Sequence, residues 1–360
     1  MRVTLSDEQD FLREAVAGVV AREAPFGSVR EWTEAGDVSP ADELARRQGW
    51  PGIGLGEEAG GQGGGAIELA VLAEQLGYGA VPWDRTMAGC LALPLLAAAG
   101  DAGREVAAAS AEDAGAILLL DGRAPVGSAL GGAALTVDGD LLSLEARHVP
   151  GAAGAARLVI PVFAGEEVEL RGVDPGDAAV EITPLTLVDR TRSLAAVTLD
   201  RAPSTVLGTV GVSAFAATAS LAAVVLAADA LGAAARLLEL TVDYVAERRQ
   251  FGVPVGAFQA VKHAAAQMLV DVEACRSAVS YAAWAVDDGA EDAAIAAAIA
   301  KSHTADAASR VADRALFLHG AIGYTWEHDL QFLFKRIKSD AVLFGGATAH
   351  RDRIAAALGV

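Results

Sequence analysis

Apolar positions recur every three or four residues at both ends of this chain and at shorter spacing in the middle. Near the start, Leu5, Phe11, Leu12, Ala15 and Val19 define one face of an amphipathic helix, with Ser6 as its N-cap and acidic residues after it. "AIELAVLAEQLG" predicts a second helix, closed by Gly77. Between them, "GWPGIGLGEEAGGQGGG" is too rich in glycine for regular structure. From about residue 114 to 200 the pattern changes to short runs rich in Val, Ile, Leu and Thr, such as "GAILLL", "ARLVIPVF", "AVEITPLTLVD" and "LAAVTLD". Turn pairs such as Asp138-Gly139 and Pro175-Gly176 separate them, which predicts an antiparallel sandwich or barrel. The helical period then returns. Leu221, Val225, Ala228, Leu231, Ala235, Leu238, Val242 and Val245 predict one helix of roughly 50 Å that reaches Arg249. Phe258, Val261, Ala265, Met268, Val272, Cys275, Val279, Ala283 and Val286 mark a second, and a third runs from about 290 to 319. The expected fold is α+β and multidomain: helices over 1–111, a β domain over 112–205 and a helical bundle over 206–360.

Composition narrows the function classes. Apolar residues make up 53% of the 360, and many are alanine, which favours close-packed helices. The most apolar stretch, "VSAFAATASLAAVVLAADALGAAARLLEL", contains Asp229 and Arg236, which argues against a membrane span. The first helix is acidic and lacks the features of a signal peptide. Cys90 and Cys275 lie far apart in apolar helical contexts, as expected of reduced thiols in a cytoplasmic protein. A net charge of −19 argues against general binding to nucleic acid or anionic membranes. Against that background the stretch "AERRQFGVPVGAFQAVKH" is unusual. It sets two arginines and a glutamine at the mouth of a tight turn between long helices.

Several chemistries have no sequence support. Glu145 and His148 form the only Glu-x-x-His spacing, in the β region, where a di-iron bundle would need two pairs on helices. Neither a dinucleotide glycine fingerprint nor a Walker sequence is present, and neither cysteine belongs to a Cys-x-x-Cys pair.

Three segments, in order, resemble the acyl-CoA dehydrogenase family. "ERRQFGVPVGAFQAVKHAAAQM" is similar to its Arg-x-x-Phe-Gly signature, and "LHGAIGYTWEHDL" to its His-Gly-Gly-x-Gly-Tyr-Thr segment. "GWPGIGLGEEAGGQGGGAIELAVLAEQLGYGAVP" resembles its N-terminal loop and helix. The resemblance implies an N-terminal helical domain, a β-barrel and a C-terminal four-helix bundle, usually assembled as a tetramer. It also implies FAD at a subunit interface and an acyl-CoA substrate oxidised at Cα–Cβ. On this chain the groups facing a neighbour's flavin would be Arg248, Gln250 and Phe251, with Phe317, Gly320 and Ala321 at the second adenosine contact. Arginine forks suit phosphate oxygens, and a glycine turn permits close backbone approach.

The departures are as informative. The family's catalytic glutamate would fall at Phe344 or Gly345, or in other members at Ala222 or Ala223, and none of these is an acid. Asp229 and Glu247 are the nearest carboxylates; the first is expected to serve helix packing or capping and the second a local pair with Arg248. The family's Thr-Glu-Pro-x-x-Gly-Ser segment is replaced by "LLLDGRAPVGSALGG", where only Gly127-Ser128 matches. The strand that would face the flavin reads "SLEARHVPGAAGA", and at roughly ninety residues the β domain is shortened relative to the family. The Gln-x-x-Gly-Gly contact becomes Phe317-Leu318-His319-Gly320-Ala321. Groups given to a chain's own flavin are mostly missing, while part of what serves a neighbour's remains. The resemblance therefore implies a base-deficient partner subunit of a heteromeric enzyme, of the kind found in actinobacterial steroid or polyketide-type acyl-CoA degradation. An active homotetramer with a displaced base, a flavin monooxygenase and a non-catalytic scaffold are the alternatives. Alanines between the bundle helices suggest room for a bulky acyl group.

Overall fold

The computed structural model of the protein describes residues 4–123 and 135–360. Six helices come first: α1 (Asp7–Glu23), α2 (Phe26–Ala35), α3 (Ser39–Arg47), α4 (Ala66–Tyr78), α5 (Asp84–Ala98) and α6 (Asp101–Ser110). Ser6 caps α1 as expected, in a reciprocal box with Gln9. Gly77 does not close α4. It lies inside the helix, where a Cβ would come within 2.1 Å of the Asp229 carbonyl oxygen, so this glycine serves close helix approach.

A seven-stranded sheet follows: β1 (Ala116–Leu118), β2 (Thr136–Asp138), β3 (Leu141–Pro150), β4 (Arg157–Ala164), β5 (Glu167–Val173), β6 (Val180–Pro184) and β7 (Leu194–Gly211). Among the described strands only β1 and β4 pair in parallel. The long strand β7 pairs with β3 and β6 through its first half and with β5 through its second. Partners change at Pro203, which has no N–H to give to a ladder, and the strand continues through Gly211, past the run that the sequence pattern marked. The sheet thus folds about β7 and encloses its own core of Ile117, Leu142, Leu158, Ile160, Val173 and Val197.

Two-residue strands β8 (Arg249–Gln250) and β9 (Val253–Pro254) separate the first two helices of the C-terminal bundle. These are α7 (Val212–Glu247) and α8 (Gln259–Asp288), followed by α9 (Ala293–His319), α10 (Leu330–Val342) and α11 (Ala347–Leu358). The helix α7 is long and apolar enough to cross a membrane, but 78% of its most apolar window is buried inside the protein. It stops at Glu247, two residues before the expected end, because Arg248 is already extended at ψ 124°.

The three regions meet at a buried ion cluster. Arg192, between β6 and β7, contacts Asp84 at the start of α5, Asp229 in the middle of α7 and Asp340 in α10. Arg336 donates through Nε and Nη2 to Asp229, both at 2.9 Å, and Trp83 Nε1 donates to Asp229 at 2.8 Å. Arg336 also reaches the Thr191 carbonyl and hydroxyl. The side chains of Arg192, Arg336, Asp84 and Asp229 have no solvent exposure. Burial pushes the Asp229 carboxyl up, but the two guanidinium groups outweigh it and hold it below the ordinary range. Asp340 goes the other way: burial, with Asp229 nearby, raises it to about 7 against the pull of Arg192.

Asp229→Asn leaves two buried guanidinium groups short of a partner and is expected to cost about 3–5 kcal/mol in urea unfolding. Asp340 takes up a proton on folding between its unfolded value of 3.8 and about 7, so its contribution to stability falls as pH rises through that window. The difference in unfolding free energy between wild type and Asp340→Asn should therefore change steadily from pH 4 to 7 and level off below pH 4. A difference that is flat across the window would overturn the assignment.

Candidate functional site

The end of α7 shapes the turn that carries the two arginines. The Arg248 N–H closes the last helical turn on the Tyr244 carbonyl at 2.9 Å, and the Arg248 carbonyl accepts from Val255 N–H at 2.7 Å. Strands β8 and β9 pair Arg249 with Pro254 and Gln250 with Val253, leaving Phe251 and Gly252 as a two-residue loop. Both have positive φ, 54° and 81°, the geometry that hairpin twist favours. Glycine meets this requirement freely, whereas a phenylalanine there is strained, and backbone strain of this kind collects at ligand sites. Phe251 is 93% exposed, and nothing lies within 4 Å of where a Gly252 Cβ would be. Arg248 and Arg249 are exposed and have no carboxylate within ion-pair reach among the described residues. The expected pair between Glu247 and Arg248 does not form: adjacent residues do not face each other on a helix, and Arg248 is already extended beyond its end.

The second turn follows α9. Phe317 is 79% exposed on its last turn. Gly320 then breaks the helix at φ 64°, with open space around it, and Gly320–Tyr324 form a short 3-10 turn that includes exposed Ala321. One aromatic contact ties this turn to the first: the His319 ring stacks on Tyr244 with centroids 4.5 Å apart and planes 17° from parallel. The structure therefore brings Arg248, Gln250 and Phe251 on one turn to the same end of the bundle as Phe317, Gly320 and Ala321 on the other.

The positions matched to a catalytic glutamate are elsewhere and closed. Ala222 and Ala223 are buried in α7, and Phe344 is buried after α10. Phe344 (φ 55°) and Gly345 (φ 95°) form a left-handed turn pinned on three sides. The Phe344 N–H donates to the Gly122 carbonyl at 2.8 Å, His350 Nε2 contacts the Phe344 carbonyl at 3.1 Å, and Lys301 Nζ donates to the Gly345 carbonyl at 3.2 Å. Burial lowers both pinning groups, Lys301 to about 8 and His350, with Lys301 nearby, to about 4. Gly122 packs so tightly that a Cβ there would meet Leu343 and the His148 carbonyl. Asp229 is committed to Trp83, Arg192 and Arg336, and Glu247 points to solvent. Gly127-Ser128 lie outside the described residues. The alanines of the bundle do not make room for an acyl group at the α4–α7 crossing. There Gly77 and Gly232 let the two backbones touch, each occupying the space where the other helix's carbonyls need it clear.

Sequence patterns missed the group that closes this interior. Trp83, Asp84, Arg192, Asp229, Lys301, Arg336 and Asp340 share no spacing, and of these only Asp229 stood out in the sequence, as a charge inside a long apolar stretch. Among the described residues no group of His, Cys, Asp and Glu is placed to hold a metal. Cys90 and Cys275 are free and buried, and burial pushes their thiols up to about 12 and about 11.

For the phosphate half of a flavin dinucleotide the residues fit: two unpaired guanidinium groups beside an open glycine turn. For a reacting half on this chain they do not, since the loop matched to the base is apolar, buried and hydrogen-bonded to Gly122.

Comparison with known proteins identifies the family of both helical regions. Residues 6–105 match the family model "Acyl-CoA dehydrogenase, N-terminal domain", and residues 210–359 match "Acyl-CoA dehydrogenase, C-terminal domain". The chain is 31% identical over 344 residues to acyl-CoA dehydrogenase IpdE2 of Mycolicibacterium smegmatis, covering 95% of this chain and 96% of that protein. Among solved structures it is similar to the ChsE4-ChsE5 complex from Mycobacterium tuberculosis, with a TM-score of 0.87 and 25% identity over 100% of this chain and 99% of that one. A Tcur3481-Tcur3483 steroid acyl-CoA dehydrogenase gives a TM-score of 0.86 at 28% identity, with 99% of each chain covered.

Restoring an acid to the closed loop tests whether the interior is a dormant site. Phe344→Glu is expected to cost about 3–5 kcal/mol through lost packing and a buried charge. It should give the isolated chain no acyl-CoA oxidation in a dye-reduction assay; measurable turnover would show that the site was only missing its base.

Proposed function

The chain belongs to the acyl-CoA dehydrogenase family, and on that premise we propose that it is the base-deficient partner subunit of a heteromeric FAD-dependent enzyme. In this reading it completes, from outside, a flavin site whose glutamate and ring-binding segment come from a related chain. One contrast carries the proposal. Its outward turns keep unpaired arginines and strained, open backbone, while the loop matched to the base is packed shut. A homotetramer with a displaced base has less support, because Asp229 is held ionised and buried and Glu247 is out in solvent.

Within such a site Arg248 places a fixed positive fork on diphosphate oxygens, with Arg249 beside it raising the local potential. Gly252 and Gly320 allow backbone to approach the dinucleotide closely, and Gln250 and Ala321 stand at the edges of the two turns. FAD, when bound, supplies the hydride acceptor for oxidation of an acyl-CoA thioester at Cα–Cβ. The chain's own part is to bind and orient. The likeness to ChsE4-ChsE5 and to a steroid acyl-CoA dehydrogenase supports a heterotetramer acting on a bulky, steroid-derived acyl-CoA, and free, buried cysteines suit the cytoplasm.

An absorbance scan near 450 nm of the chain alone, and of the chain co-expressed with a second acyl-CoA dehydrogenase chain from the same genome, tests the proposal. Flavin is expected only in the co-expressed complex. Arg248→Met in that complex should weaken FAD binding by about 10- to 100-fold, the loss of one charge-assisted phosphate contact, with little effect on thermal stability because the side chain is exposed. Stoichiometric flavin and turnover in the isolated chain would overturn it.

A further inference from the structure

We infer that Phe317 sets the nucleotide specificity of the shared site: it offers a ring face in place of a hydrogen-bonding side chain, so that the base is gripped by stacking and its edge is not read. The inference rests on the proposal that this chain lends its two turns to a flavin held by a partner.

Phe251 and Phe317 are the two most exposed aromatic side chains among the described residues, at 93% and 79%. A single exposed phenylalanine needs no explanation. Here each stands on one of two turns at the same end of the bundle, and one of those turns carries the unpaired Arg248 and Arg249. Aromatic faces beside free cations suit a planar base joined to phosphates, since every base has a face to stack on and phosphate takes the charge.

The support beneath Phe317 is rigid. His319, two residues on, is buried; the Ala315 carbonyl accepts from its Nδ1 at 2.8 Å, its ring stacks on Tyr244, and His328 meets it edge-on at 4.8 Å. Tyr244 in turn sits one helical turn before Arg248 and accepts its N–H. The Tyr244–His319 stack therefore ties the end of α9, with Phe317, to the end of α7, with the arginines. A phenyl ring neither donates nor accepts hydrogen bonds, whereas a glutamine amide would do both. With Phe317 at this position the chain has no side chain there to recognise the exocyclic amine of adenine.

The test uses the flavin-free co-purified complex, titrated with FAD and with the analogue that carries hypoxanthine in place of adenine, followed by flavin fluorescence. Wild type should discriminate between the two by less than about threefold, and Phe317→Ala should weaken both alike by about tenfold. Phe317→Tyr should keep wild-type affinity, which separates loss of stacking from loss of fold. Phe317→Gln should introduce a preference for the adenine form. Threefold or greater discrimination by wild type, or unchanged affinity in Phe317→Ala, overturns the inference. Arg248→Met in the same titration separates the two levels. If it loses affinity while Phe317→Ala does not, only stacking fails. If neither does, the shared-site proposal fails with it.

Discussion

Asp229, buried at the middle of α7, accepts from Trp83, Arg192 and Arg336, and these contacts join the first helices, the sheet and the bundle at one point. Charges taken out of water are tolerated only when each is met by another and by hydrogen bonds. That requirement fixes where the regions sit: α5 must present Asp84, the segment before β7 must present Arg192, and α10 must present Arg336 and Asp340. Lys301 adds a third cation, held by the Asp340 and Gly345 carbonyls. Space filled by this cluster is not available to a ligand. The Phe344 turn, four residues beyond Asp340, is closed over by the same network through Lys301.

The molecule therefore has a largely paired interior and an unpaired end. Inside, the charges around Asp229 have ion partners, and glycines at the α4–α7 crossing bring the backbones into contact. At the bundle end, two guanidinium groups have no carboxylate partner among the described residues, a phenylalanine is held at positive φ, and two phenyl rings face water. Each of these is mildly unfavourable in an isolated chain: strain at Phe251 on the order of 1 kcal/mol and exposed apolar area at both rings. Among the described residues only an edge-on contact of Phe258 with the Phe251 ring, at 6.3 Å between centroids, offsets part of this. A nucleotide and a second chain would cover the rings and neutralise the arginines, as the proposed partner role requires.

Much of this fold was legible in the sequence because local periodicity carried it. The helical steps from Leu221 to Val245, the cap at Ser6 and the turn at Asp138-Gly139 all depend on neighbours within a few residues. The errors fall where a distant contact decides. Gly77 signals a helix end in isolation, yet the backbone of α7 needs it inside α4. Glu247 and Arg248 read as a pair until Arg248 turns extended into a hairpin. The extent of β7 depends on three partner strands, and its switch at Pro203 has no local signature apart from the proline. Apart from Asp229 itself, the cluster was not legible for the same reason: its members are scattered from residue 83 to residue 340. For the candidate site the balance was reversed. Both turns are short contiguous segments with distinctive residues, so the resemblance could mark them directly, while the closure at Phe344 had to wait for Gly122, Lys301 and His350 to be seen in contact.

This division also bears on where selectivity for the acyl group resides. If α7 offered a cleft along its length, its alanines would line it and the chain would share in choosing the substrate. Instead, Ala222, Ala223, Ala227 and Ala230 are buried against neighbouring helices. Changing their size would strain the fold before it reshaped any pocket. On the proposed division of labour the acyl chain is measured by the partner, and this chain acts on the dinucleotide end. Substitutions that alter substrate choice and substitutions that alter flavin retention should then fall on different polypeptides. In a homotetramer, where one chain supplies both halves of every site, the two effects would map to the same chain.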